Sequence, residues 1–531
     1  MKSQITGERV NWNIKAEFIL LGVILIVLHV RLYQYSYDDA YIHFRIVRNL
    51  LDKGVPYFNA SEAVKVSTSS GWTVVLAIVL KVIRIIKFDS HFPLAVSIMN
   101  AIFTLGGMTV YTKILEILQG DRLTLFQKLL FQISFVALLL PSSIGLMETP
   151  LALLMAGWGI CLILQSRLSG FALLGFAGYI RIELLILLVL AVSVSAFART
   201  KFDYIRIASY VGIGTIPLLL YDLYFFSTVI PHSMVAKSAV FTISWSDTLK
   251  YILFYSIPAF VKSFNWILLS GILFIWLFAS SIFPIFHVHK RHNIHWQLLF
   301  SIWGILTIVG YALGHALIFQ WYIPMYTIPL FIACFMNFSS TKYKTDYIYW
   351  VPIFTLFFIS VIFITKSVYA SMEDPSAFTN FISGSRVRTY LRVGNILYEE
   401  YPNESLMTTE IGGLGYSFNG EILDAAGLAS PDVLAYHPMK IPEQRASGGI
   451  GAIPPDYVRE KMPGLIVSYD YFTQALLSDD VSQLYNMILI PAYLPEDAKY
   501  SNTKAIAGDP YLRIYIRKDL PVSEKILALE K

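Results

Sequence analysis

Long apolar stretches alternate with short polar loops over the first two thirds of the chain and then stop. Apolar runs of about 17–25 residues, each long enough to cross a bilayer as a helix, recur until about residue 367. The pattern predicts helices near 17–34, 92–112, 126–141, 149–164, 168–180, 183–198, 206–226, 264–286, 296–315, 321–338 and 347–367. Residues 72–88 are also apolar, but Lys81, Arg84 and Lys87 recur every three residues along one face, which suits a helix lying in the membrane interface. Beyond residue 371 the periodicity changes. Residues 405–409, 465–468, 487–490 and 512–517 are β-rich and separated by Gly, Pro and Asp clusters, as in an α/β module. The expected fold is mainly α: a polytopic transmembrane bundle over 1–370, with a first outer loop at 35–91, followed by a soluble extracytoplasmic α/β domain over 371–531.

The 531 residues are 56% hydrophobic with a formal net charge of only +5, and the cations gather in short loops rather than in a nucleic-acid-binding patch. Lys113, Arg122 and Lys128, then Arg167, then Arg199, Lys201 and Arg206, then Lys290 and Arg291, then Lys342 and Lys344 fall in alternate loops, all on one side of the membrane, while the short loops on the other side carry few cations. The positive-inside rule then puts the N-terminus in the cytoplasm, in a multi-pass cytoplasmic-membrane protein, and an odd number of spans puts the C-terminal domain outside. Lys2, Arg9 and Lys15 precede the apolar run Phe18 to Val30 without a small-residue cleavage site, which reads as an uncleaved first helix. Cys161 and Cys334 fall inside predicted helices and act as small hydrophobes. His287, His289, His292 and His295 have spacing open to a metal reading, but beside Lys290 and Arg291 a solvated turn is the simpler one. Asn59-Ala60-Ser61 and Asn403-Glu404-Ser405 match the N-glycosylation pattern.

Given this topology, the unusual polar groups converge on the outer face. Asp38 and Asp39 follow the first helix; Ser67, Thr68, Ser69 and Trp72 precede the interfacial one. Glu148 and Thr149, then Arg181 and Glu183, occupy outer turns; His232 and Lys237 follow the seventh span, and Gln320, Trp321 and Tyr322 open the tenth. Each cluster has a plainer reading: the aspartates as helix caps, Arg181 and Glu183 as an interfacial ion pair, Lys237 as a solvated side chain, Trp321 and Tyr322 as belt aromatics. The chemical reading needs a base and an anion clamp. A carboxylate ionised at neutral pH accepts a proton from an attacking hydroxyl, and cations such as Arg181 and Lys237 hold a departing phosphate.

The run Asp38-Asp39-Ala40-Tyr41-Ile42-His43-Phe44-Arg45-Ile46-Val47-Arg48-Asn49-Leu50 resembles the first outer loop of GT-C glycosyltransferases that use polyprenyl-phosphate sugars, most closely the arabinofuranosyltransferase-like branch. Thr68, Ser69 and Trp72 continue the likeness, whereas Lys65 and Ser67 depart from it. Met147-Glu148-Thr149, Arg181-Ile182-Glu183 and Pro231-His232-Ser233-Met234-Val235-Ala236-Lys237 are looser echoes. In the tail, Ile411-Gly412-Gly413-Leu414-Gly415-Tyr416 and Asp424-Ala425-Ala426-Gly427-Leu428 are similar to the family's outer domain. The resemblance implies an inverting, outer-leaflet glycosyltransferase that passes a sugar, a pentofuranose such as arabinofuranose or else a hexose, from a polyprenyl-phosphate donor to a glycan, glycolipid or protein acceptor. It implies Asp38 as catalytic base, with Asp39 orienting it or binding acceptor, and Arg181, His232 and Lys237 on the phosphate side. Arg45, Thr68, Trp72, Glu148, Glu183, Gln320 and Tyr322 would be substrate-binding, Glu148 and Trp72 either sugar-side or structural. Some relatives bind a divalent cation near the acidic loop, and no residue here specifies one. A transporter or flippase of a lipid-linked saccharide is the alternative, although no internal repeat is visible and the polar clusters lie at one surface rather than the midplane. A sensor or scaffold would leave the first-loop motif without a purpose.

Overall fold

A computed structural model describes residues 16–119, 123–196, 201–240, 243–257, 264–282, 294–340, 347–439, 452–501, 505–506 and 509–530. Its helices are α1 (Ala16–Leu32), α2 (Asp38–Lys53), α3 (Ser70–Ile85), α4 (Phe92–Gln119), α5 (Leu125–Ile144), α6 (Thr149–Leu164), α7 (Ser169–Ile180), α8 (Leu184–Ala196) and α9 (Lys201–Phe226). There follow α10 (His232–Val240), α11 (Trp245–Tyr255), α12 (Phe264–Ile282), α13 (Ile294–Leu313), α14 (Pro324–Ser340), α15 (Tyr347–Met372), α16 (Phe381–Glu400) and α17 (Ile411–Ser417). Among the described residues five helices are long and apolar enough to cross a membrane and six shorter ones are comparably apolar, and together these fall on the eleven predicted segments. The interfacial segment is α3, which belongs to neither set. It exposes Ile78, Val82 and Ile85 while burying Trp72, Leu76 and Leu80.

After α15 the chain builds a five-stranded sheet of β1 (Leu406–Thr408), β2 (Ile422–Asp424), β3 (Leu465–Tyr469), β4 (Tyr485–Pro491) and β5 (Tyr511–Arg517), in the order β2-β1-β3-β5-β4. β1 pairs parallel with β2 and β3, while β5 runs antiparallel to β3 and β4. β3 is buried along its whole length, as expected of a strand covered on both faces. His287, His289 and His292 lie outside the described residues, as do the loop cations Arg122, Arg199, Lys290, Arg291, Lys342 and Lys344; His295 is exposed on α13.

Three polar devices hold the first loop between the bundle and the sheet domain. The first is Arg45, buried on α2. Its Nε donates to the Phe58 carbonyl at 2.7 Å and Nη1 to the Phe418 carbonyl at 2.8 Å and that of Gly415. Nη2 donates to the Gly420 carbonyl at 2.7 Å and to Asn59 Oδ1 at 3.3 Å. Every donor of the fork is spent on fixed partners, so Arg45 is a staple between α2 and the loop after α17 rather than a substrate ligand. Asn59 is part of the same joint: its amide nitrogen donates to the Ile422 carbonyl at 2.8 Å, and it is buried, so it is not a surface glycosylation acceptor.

The second device is a buried ion pair. Lys65 Nζ lies 2.5 Å from Asp222 Oδ2 on α9, and Ser70 Oγ donates to the other oxygen at 2.5 Å. The Lys65 carbonyl accepts from His232 N at 2.8 Å, so the same loop fixes the start of α10. The third is Asp38, whose carboxylate accepts from Gly412 N and Gly413 N, both at 2.8 Å, at the first turn of α17. A Cβ at Gly412 would collide with the Asp38 backbone carbonyl, which is why this close approach takes glycine.

Removing the Arg45 guanidinium strands the buried carbonyls of Gly415 and Phe418, whereas that of Phe58 keeps the Asn49 amide, and each unsatisfied buried acceptor costs about 1–3 kcal/mol. Arg45→Met is expected to destabilise the docking of the sheet domain by about 3 kcal/mol or more. Limited proteolysis should then release a fragment beginning after α15 that the wild type protects.

Candidate functional site

An open cleft of about 410 Å³ lies where α2, the loop before α3, α10 and the turn before α14 meet. Asp39, His43, Ser67, Thr68, Glu148, Arg181, Ser233, Lys237, Trp321 and Tyr322 line it, with Ile42, Val66, Met147 and Leu428 as apolar wall. The polar clusters separated in sequence thus converge on one hollow. Asp39 and His43 project into it together because they are four residues apart on α2, one turn up the same face.

Asp38 and Asp39 part company here. Asp38 points at α17 and both its oxygens are taken, so it does not line the cleft. Asp39 does line it, with its carboxylate 3.9 Å from Lys237 Nζ and both side chains about a quarter to a third exposed, at 30% and 26%. Burial, with the nearby Glu410 carboxylate, pushes the Asp38 carboxyl up to about 7, against the pull of the Gly413 N–H and Arg386. Glu410 is itself gripped by Arg386 Nη1 at 3.0 Å and by the Tyr390 hydroxyl at 2.5 Å.

Arg181 is surrounded. Its Nη1 is 2.7 Å from Glu148 Oε1, and Nη2 is 2.5 Å from Glu183 Oε1, while Tyr322 stacks beneath it at 4.7 Å. The Tyr311 hydroxyl donates to the same Glu183 oxygen at 2.5 Å. Burial opposes the charge on Arg181, but Glu183, Tyr311 and Glu148 outweigh it and raise the guanidinium pKa. Burial likewise opposes charge on Glu183, and Arg181 overcomes it, so that carboxyl is lowered. The cluster is a buried, doubly neutralised arginine, whose fork is already shared between two carboxylates. Glu148 Oε2, by contrast, is buried without a hydrogen-bond partner.

Lys237 is the cation with room to engage a ligand. Burial works against its charge, while Tyr322 and Asp39 raise its pKa, and Phe319 packs 5.1 Å from Nζ. His43 has its Nδ1 3.3 Å from Ser67 Oγ, and burial lowers its pKa, so at neutral pH the imidazole is uncharged. Sequence reasoning did not single out His43 or Ser233, and it placed Ser67 among the converging polar groups without giving it a role; the i, i+4 spacing from Asp39 was the available signal for His43.

Of the other expected site residues, Thr68 and Tyr322 line the cleft, whereas Trp72, Glu183, His232 and Gln320 do not. Trp72 is fully buried in the α3 core, which makes it structural. Gln320 accepts from the Tyr37 hydroxyl at 2.5 Å, on the far side of Trp321. His232 begins α10, and its Nε2 is buried without a partner. Cys161 and Cys334 are free and buried. Among the described residues no group of three or more His, Cys, Asp or Glu is gathered as a metal site.

A family described as a domain of unknown function (DUF8728) matches residues 380–515. No curated protein matches the sequence. Among solved structures, that of ArnT from Cupriavidus metallidurans bound to undecaprenyl phosphate is similar over 96% of this chain and 99% of ArnT, with a TM-score of 0.54 at 11% identity. At that identity the likeness is one of fold. The chain is a multi-pass membrane protein with a GT-C-like fold.

Two measurements check this electrostatics. The raised Asp38 pKa makes a stability contribution that is complete below about pH 4 and lost as pH rises through about 7. The difference in melting temperature between wild type and Asp38→Asn should therefore change across that window and level off above it. Arg181→Gln leaves Glu148 and Glu183 buried and unpaired, a loss of about 3–5 kcal/mol. Adding Glu183→Gln should recover part of the lost melting temperature, which a purely local packing defect would not allow.

Proposed function

We propose that the protein is a membrane glycosyltransferase that moves a sugar from a polyprenyl-phosphate donor to an extracytoplasmic glycan, glycolipid or protein acceptor. The observation that carries the reading is the Asp39–Lys237 pair: one uncommitted carboxylate and one available ammonium, 3.9 Å apart in an open cleft. The GT-C-like fold supports it, since the similar ArnT structure holds undecaprenyl phosphate, the lipid class the donor would carry. Residues 1–370 would form the catalytic membrane domain, with the N-terminus cytoplasmic, and residues 371–531 the extracytoplasmic domain. A pentofuranose such as arabinofuranose is the favoured sugar, with a hexose as the alternative.

The roles follow from the geometry. Asp39, rather than Asp38, is the base: it takes the proton of the acceptor hydroxyl as that oxygen bonds to the anomeric carbon. The bond from the anomeric carbon to the phosphate oxygen breaks, its electron pair stays on phosphate, and Lys237 balances the charge that develops there. Attack from the face opposite the leaving group inverts the anomeric centre. Glu148 Oε2 and the Thr68 hydroxyl offer hydrogen bonds to sugar hydroxyls, and Tyr322 positions Lys237. Arg181 acts by holding Glu148 in place.

Sugar transfer by the purified protein in lipid, from a panel of polyprenyl-phosphate sugars, tests the assignment. Asp39→Asn is expected to lower kcat by about 10²–10⁴, the usual range for a general base. Lys237→Met should weaken turnover of every donor alike. Full activity in Asp39→Asn, with transfer lost instead in a folded Asp38→Asn, would return the base to Asp38. Movement of a labelled glycolipid across vesicles without any transfer would favour a flippase.

A further inference from the structure

The sheet domain reaches the cleft through one side chain, Leu428. Leu428 belongs to the loop after β2, where residues 424–430 are all buried except Leu428 itself, which is partly exposed. The loop is built to be rigid. The Asp424 carboxylate turns back on its own backbone and accepts from Ala426 N at 2.9 Å and Ala429 N at 2.8 Å. Gly427 between them sits at φ 81, a left-handed conformation that suits glycine. Ser430 Oγ accepts from Asp424 N at 3.0 Å and closes the loop.

The next turn, Pro431–Tyr436, packs on α10, the helix that carries Lys237. Leu434 of that turn sits against Val240 and Ile243. Leu428 is thereby held on the Lys237 side of the cleft, where the phosphate and the sugar attached to it would lie. The Leu428 side chain is partly buried against the hydrophobic core and shares the apolar wall of the cleft with Ile42, Val66 and Met147, leaving part of its surface open to the hollow. It presents a surface for the C–H face of a sugar ring and a limit on that ring's size.

We propose that Leu428 is a specificity-determining residue: its side chain, fixed by the Asp424 loop, sets the size of the donor sugar admitted beside Asp39 and Lys237. The inference rests on the reading of this cleft as a donor site, and it gives the domain of unknown function a part in substrate choice.

The test compares wild type, Leu428→Ala and Leu428→Phe with two donors, a polyprenyl-phosphate pentofuranose and a polyprenyl-phosphate hexose, using protein in nanodiscs. Both kcat/KM and donor binding are measured. The hexose-to-pentofuranose ratio is expected to rise about tenfold in Leu428→Ala and to fall in Leu428→Phe, the scale of discrimination a few methylenes in a pocket provide. A loop that merely lost its fold would lower both donors together, so an unchanged ratio in both variants overturns the proposal while wild-type transfer leaves the transferase reading intact. If wild type transfers neither donor, the transferase reading falls. A binding ratio that still moves oppositely in the two variants upholds Leu428, and binding of neither donor overturns both.

Discussion

The lock between the Asp38 carboxylate and the Gly412 and Gly413 N–H groups in the first turn of α17 is the constraint on which the site depends. A helix start leaves N–H groups without intrahelical partners, and an anion placed there answers both the hydrogen-bonding deficit and the local dipole. Here the anion comes from another helix start, so the N-termini of α2 and α17 meet and the two helices then run side by side. That contact fixes the rotation of α2 about its axis. With Asp38 turned into the sheet domain, the next residue, Asp39, is turned by about 100° into the cleft, and His43 follows one turn later. Arg45 holds the same helix further along, against the carbonyls of Phe418 and Gly420. The orientation of the Asp39 carboxylate is therefore set by the sheet domain.

Charge in the cleft is arranged in two tiers. The Arg181 cluster is deeply buried, with side-chain exposures of 4% for Arg181 and 2% for Glu148, and its bonds are internal. Breaking such a pair costs far more than making it returns, which suits a fixed wall. The Asp39–Lys237 pair is longer and partly open to water, so its mutual attraction is weak and exchangeable. The first tier shapes the site and the second is available to a ligand.

The bundle was legible because hydrophobic runs report helices directly, and the eleven segments read from the sequence are the apolar helices of the fold. Four of the five strands were legible as well. β2 was not: three residues, two of them buried, leading into the Asp424 loop carry too little pattern. The site was legible in part as a set, since Asp39, Thr68, Glu148, Arg181, Lys237 and Tyr322 line the cleft, but not as roles. Adjacent aspartates look equivalent along a chain, and what separates them is a partner 374 positions away in Gly412. Arg45 and Trp72 looked functional because the resemblance runs through them, yet one is a staple and the other core. Lys65 looked like a departure from pattern, and its partner Asp222 sits in the apolar second half of α9. Long-range pairing of this kind has no local signature.

The resting contact between Asp39 and Lys237 gives a reason for the weak tier to exist. A lone carboxylate or ammonium in a half-buried cleft pays a desolvation cost, and each lowers the other's by lying 3.9 Å away. On the proposed reading, a donor phosphate would offer Lys237 a better partner than Asp39, because its charge is shared by several oxygens. Lys237 would then turn to the phosphate and leave the Asp39 carboxylate free for an acceptor hydroxyl. Donor binding would then activate the base by removing its partner, without any movement of α2. That economy is possible only because Asp38, one residue earlier, keeps the helix from turning.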